Sequence, residues 1–122
     1  MVGAVFDSNI IIDHLKGAPH VTAEFARYDE RSISIVSWIE VLAGARPEHE
    51  DATRTILASF SIIPLDDVVA ERAVALRRSH RIKLPDAIIW ASAQITGRLL
   101  VTRDAKDFPR NDPGIRIPYK LR

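Results

Sequence analysis

Short runs of β-branched and apolar residues alternate with stretches of helical spacing along the whole of this chain. Val2 to Phe6 is an apolar run that stops at Asp7 and reads as a buried strand. Ser32 to Val36 alternates as Ser-Ile-Ser-Ile-Val, a period-2 strand, and Ser61–Leu65, Leu99–Val101 and Ile115–Ile117 are further strand candidates. Between them lie helices. One covers Asn9–Lys16, capped by Ser8 or Asp7 and ended by Gly17. Another covers Pro19–Tyr28, with Val21, Phe25 and Tyr28 on one side. Ser37–Ala45 is closed by Pro47, and Glu48–Ser59 turns Ile56, Leu57 and Phe60 inward. Asp66 caps a helix to about His80, with Val69, Ala73 and Leu76 spaced for one face. Pro85 opens the last helix, which runs to Thr96 and is stopped by Gly97. Strand–helix alternation of this kind predicts an α/β fold: a central, mainly parallel sheet flanked by helices, with right-handed crossovers. Ligand sites in such sheets form beyond the carboxyl ends of the strands.

At 122 residues, without repeats or linkers, the chain is expected to be a single domain over 1–122. It has no cysteine, which excludes disulfides, thiolate catalysis and zinc–thiolate sites and fits a reducing cytoplasm. Two aspartates interrupt the apolar N-terminus and no basic stretch precedes it, so it does not read as a signal peptide. No segment has the roughly 18 uninterrupted apolar residues of a membrane span. A cytoplasmic protein without a membrane partner is expected. Basic and acidic residues nearly balance, 17 against 16. If several acids are set aside for a cation, the remaining surface is net basic, which suits a polyanionic substrate. Ordinary solvation of a small surface accounts for the same counts.

The acids in apolar surroundings need an explanation. Asp7 directly follows VGAVF, where a central strand ends; plain helix capping is the bland alternative. Glu40, in SIVSWIEVLAGA, has Val36, Ser37, Ala43 and Gly44 as its helical neighbours, so it belongs to no charged stripe. Asp86, in LPDAIIWASAQ, sits in the first turn of a helix that is apolar almost all round, where the helix dipole favours an anion in any case. Asp104 follows the strand Leu99–Val101, and Asp107, three residues on, competes for the same role. Several carboxylates together raise one another's pKa unless a cation joins them. Oxygen ligands alone, with His14, His20, His49 and His80 scattered, point to Mg2+ or Mn2+ rather than zinc.

At VFDSNIIIDHL, SWIEVLAGA, KLPDAIIWASAQ and LLVTRDAKDF the sequence resembles the PIN-domain ribonucleases, in particular the VapC/FitB-like toxins of prokaryotic toxin–antitoxin pairs. The four stretches, in order and spacing, cover nearly the whole chain. The resemblance implies a parallel α/β fold and a metal-dependent ribonuclease acting through carboxylate-bound Mg2+ or Mn2+. Asp7, Glu40 and Asp86 match its first three acids, and Asp104 the fourth, with Asp107 as the alternative. Ser8, Asn9 and Thr102 match polar supporting positions; Asp13 reads as surface or helix-pairing, not as a ligand. RNA phosphates are expected near Arg78, Arg81, Lys83, Arg98 and Arg103, against the plain alternative of helix-end charge. The resemblance also implies a small cognate antitoxin and a homodimer. Phe25, Tyr28, Trp38, Ile56 and Leu57 serve either as that interface or simply as core. Two other functions remain to be weighed: a receiver-type signalling module, which would need an acidic pair after the first strand, and a catalytically inactive PIN-like binding module.

Overall fold

The computed structural model describes residues 3–104, 106–109 and 111–120; Val2, assigned above to the first strand, lies outside them. Five strands form one sheet: β1 Ala4–Phe6, β2 Arg31–Ser34, β3 Ser61–Ile63, β4 Leu99–Val101 and β5 Ile115–Arg116. Their order is β3-β2-β1-β4-β5, and every pairing is parallel. The chain builds outward from β1 to β3, then returns to lay β4 on the other side of β1. The order therefore reverses at β1, which places a crevice between the carboxyl ends of β1 and β4.

Alternation along β1 divides the core. Val5 joins Leu100, Trp90, Ile89 and Leu76 on the face covered by α5 Asp67–His80 and α6 Leu84–Ile95. Ala4 and Phe6 face the other way, onto α1 Ser8–Leu15, α2 His20–Phe25 and α4 Glu50–Leu57. There Phe6 meets Phe25 edge-on at 4.8 Å, with Tyr28 at 5.7 Å and Phe60 at 5.9 Å. Phe25, Tyr28 and Leu57 are thus core rather than interface, and Trp38 and Ile56 pack partly buried against them. α3, Ile35–Ala43, packs against both α1 and α6.

The chain changes direction where its side chains allow it. Gly17 and Gly97 end α1 and α6 at φ +80° and +65°, conformations open to glycine. The Asp66 carboxylate accepts from the Val69 N–H at 2.9 Å and starts α5. Arg81 ends α5 in the left-handed region, φ 56°, and Ile82 and Lys83 lead straight into α6. Several boundaries differ from the sequence reading: α2 ends at Phe25 rather than Tyr28, β3 ends at Ile63 rather than Leu65, and β2 stops early. Ile35 and Val36 belong to α3, not to β2, because the Ser34 hydroxyl accepts from the Val36 N–H at 3.1 Å and caps the helix there. Glu48–Ser59 likewise resolves into a 3-10 turn, Pro47–His49, followed by α4.

Candidate active site

Asp7 is the residue that ends β1 and begins α1. Its N–H continues the sheet ladder to the Val101 carbonyl at 2.9 Å. Its carboxylate caps α1, with Oδ1 accepting from the Ser8 N–H at 2.7 Å. The same carboxylate crosses the crevice: Oδ2 accepts from the Thr102 hydroxyl at 2.7 Å and from Asn9 Nδ2 at 3.4 Å. Capping the helix and reaching across the crevice are therefore compatible in one carboxylate. Only 5% of Asp7 is exposed. Burial pushes its carboxyl up to about 7; the hydrogen bonds from Thr102 and Ser8 pull it down, and the charges of Asp86 and Glu40 push it further up.

Asp86 and Glu40 lie near it on separate elements, and Asp104 and Asp107 lie near Asp86. Glu40 projects from α3 and is exposed; its Oε1 accepts from the Ser8 hydroxyl at 2.6 Å, so Ser8 links the Asp7 cap to Glu40. Asp86 stands in the first turn of α6. Burial, then the charges of Asp107, Asp104 and Glu40, push its carboxyl to about 6, while the Lys83 ammonium pulls the other way. Asp104 and Asp107 share a turn after β4. Asp104 Oδ1 accepts from the N–H groups of Lys106 at 3.0 Å and Asp107 at 3.1 Å. Burial opposes ionisation of Asp104, but a hydrogen bond from the Asp107 side chain and those two N–H groups outweigh it and hold its carboxyl below the usual range. Asp107, bonded to Asp104, is raised instead. Their shared hydrogen bond shifts the two carboxyls in opposite directions, Asp104 down and Asp107 up. Among the described residues no three acidic or imidazole side chains close around a single point.

The five bases separate into two groups. Lys83, the N-cap residue of α6, lies within reach of Asp86, Asp104 and Asp107. Arg78 and Arg81 stand exposed at the end of α5, on the turn that leads to Lys83. Arg98 precedes β4, at the opposite edge of the sheet, and its guanidinium pairs with Glu30 at 2.6 Å. Arg103 turns inward and grips Asp13 through Nε at 2.7 Å and Nη2 at 3.2 Å. Asp13, read from the sequence as surface or helix-pairing, is in fact 3% exposed, and it also accepts from the Tyr119 hydroxyl at 2.9 Å. The signal was present in the sequence: Asp13 stands in the apolar run IIIDHL and needed the same explanation as Asp7. Tyr119, near the C-terminus, gave no such signal.

Residues 4–112 match the family model for the PIN domain, and the chain belongs to that family. Within the family its likeness is to VapC proteins. It is 37% identical over 111 residues to Ribonuclease VapC10 of Mycobacterium tuberculosis, an alignment that covers 84% of each chain. A chain of the toxin-antitoxin complex from Klebsiella pneumoniae is 41% identical and superposes with a TM-score of 0.91, over 98% of this chain and 100% of that one. A chain of DNA-bound VapBC from Salmonella typhimurium shares the fold at 23% identity, with a TM-score of 0.80 over 95% and 96%. The match excludes the receiver-type alternative, whose acidic pair after the first strand is also missing: Asp7 is followed by Ser8.

Proposed function

We propose that this chain is a metal-dependent ribonuclease, the toxin of a toxin–antitoxin pair, with Asp7, Glu40, Asp86 and Asp104 as its working carboxylates. One observation carries the reading. Carboxylates from α1, α3, α6 and the turn after β4 lie near enough for Asp86 and Glu40 to act on Asp7, and for Asp104, Glu40 and the Lys83 ammonium to act on Asp86, and Asp7 and Asp86 hold their protons well above the usual range. Burial, helped by the neighbouring carboxylates, disfavours their ionised forms, and an added cation would offset that cost.

The residues fit a hard divalent ion. Every donor is an oxygen, as Mg2+ or Mn2+ prefers. Such an ion keeps part of its water shell and needs only one or two direct carboxylates, so the acids need not close around it unaided. Asp7 and Asp86 are the direct ligands in this account, with Glu40 and Asp104 completing the shell or orienting water. The bound ion would supply a water activated for attack on a phosphodiester and would offset charge on the leaving oxygen. The protein's part is positional. Ser8 and Thr102 fix both Asp7 oxygens, and Ser8 holds Glu40 facing the same space. Lys83, with Arg78 and Arg81 behind it, offers phosphate contacts beside the carboxylates. Asp107 supports Asp104.

The partners proposed are an RNA substrate, a small cognate antitoxin and a second copy of the chain, in the cytoplasm. No described helix is long and apolar enough to cross a membrane. The decisive assay incubates the purified chain with RNA in Mg2+, in Mn2+ and in EDTA. Cleavage that needs either metal and stops with the Asp86→Asn substitution is the expected result. No cleavage under any condition would favour the inactive binding-module reading, and cleavage in EDTA would overturn the metal mechanism.

A further inference from the structure

Arg103 lies between two candidate site residues, Thr102 and Asp104, yet its side chain pairs with Asp13 rather than with any of the four candidate acids. The Thr102 hydroxyl donates to Asp7 and accepts from the Asp104 N–H at 3.0 Å. The Arg103 N–H donates to Asn9 Oδ1 at 3.1 Å, and Asn9 Nδ2 reaches back to Asp7 and to Thr102. The Arg103 guanidinium then makes its two-pronged contact with Asp13. Asn9 and Asp13 are four residues apart on α1, on one face of the helix. Residue 103 is therefore held twice by the helix that Asp7 caps, through its backbone by Asn9 and through its side chain by Asp13. Tyr119, from the segment after β5, fixes the Asp13 carboxylate from a third direction.

An ion pair with a buried carboxylate is a poor device for stability alone, because desolvation of that carboxylate offsets much of the attraction. A guanidinium–carboxylate fork is a good device for geometry, since two parallel hydrogen bonds fix both orientation and distance. The fork also lies one residue from Asp104, whose carboxylate comes from a turn rather than from a helix or strand.

We infer that Asp13, Arg103 and Tyr119 are positioning residues that lock the turn after β4 to α1, so that Asp104 and Asp7 face the metal at a fixed separation. This rests on the metal-site reading above. It assigns Arg103 to holding the site rather than to holding RNA.

The test measures Mn2+ binding by calorimetry, without RNA, on wild type, Asp13→Asn, Arg103→Lys and the double variant Asp13→Asn/Arg103→Gln, with melting temperatures alongside. Each variant should bind Mn2+ roughly 10–100-fold more weakly, as expected when a group that orients a metal ligand is lost. Lost cleavage should return as Mn2+ is raised, while the KM for RNA at saturating Mn2+ stays at the wild-type value. The double variant leaves no lone buried charge, so it should recover melting temperature but not Mn2+ affinity. Wild-type affinity in Arg103→Lys with a raised KM for RNA would overturn the inference and return Arg103 to the RNA surface. Affinity losses that merely track melting temperature across the series would also overturn it, by reducing the network to a structural role. Because calorimetry needs no RNA, a wild-type chain that binds Mn2+ but cleaves nothing overturns the ribonuclease reading alone, and the variants still decide the positioning claim. A wild-type chain that binds no Mn2+ overturns both.

Discussion

Asp7 performs three tasks with one side chain: it caps α1, ties β1 to β4 through Thr102, and is the most buried of the four candidate carboxyls. The combination has a measurable consequence for stability. Its carboxyl titrates near 7 in the folded chain, against an ordinary value of 3.8. Between those values the folded chain keeps a proton that the unfolded chain has released. Stability from this group is therefore greatest on the acid side, falls as pH rises from about 4 to about 7, and levels off above. The full effect is on the order of a few kcal/mol. In EDTA, Asp7→Asn should accordingly gain melting temperature over wild type as pH goes from 5 to 8, and a constant difference across that range would refute the burial argument. Asp7, Glu40 and Asp86 were legible in the sequence because each interrupts an apolar context. Asp13 interrupts one too, but its partners Arg103 and Tyr119 are about a hundred residues away, and local spacing gives no information on contacts made across the sheet.

At the scale of elements, hydrophobic period and capping residues placed the helices and strands to within a few residues. The end of β2 shows which forces compete. In SISIV the β-branched run favours a longer strand, yet the Ser34 hydroxyl can satisfy the Val36 N–H, and the helix that carries Glu40 starts two residues before Ser37. Shape therefore depended on a cap that strand propensity concealed. Asp66 is the opposite case, a cap that was plain from the sequence, on a helix that carries none of the four acids. Asp66→Ala removes the bond to the Val69 N–H. It should lower unfolding free energy by about 1 kcal/mol in a denaturant titration. Cleavage per folded molecule should not change, because α5 contributes no carboxylate to the site. A matching loss of activity would mean that α5 positions Asp86 more directly than its hairpin with α6 suggests.

For the molecule as a whole, strand order decides what the acids can do. β1 lies at the centre, and β2 and β4 flank it on either side. Residues from opposite ends of the chain, Asp7 and Thr102, therefore meet in one crevice, while α3 and α6 bring Glu40 and Asp86 to its rim. Arg98 shows the converse. It precedes the same strand that Thr102 follows, so the length of β4 separates it from the carboxylates and leaves it to Glu30. The near-balance of charge over the chain conceals this arrangement of acids with Lys83 beside them. The central claim is that these acids hold a metal and that the chain cuts RNA with it. The most direct measurement is the single-turnover rate of RNA cleavage at saturating Mn2+ for wild type and for Asp7→Asn. The account predicts a rate lower by about 100-fold or more in the variant, with its circular dichroism spectrum unchanged; a variant that cleaves RNA at the wild-type rate would contradict it.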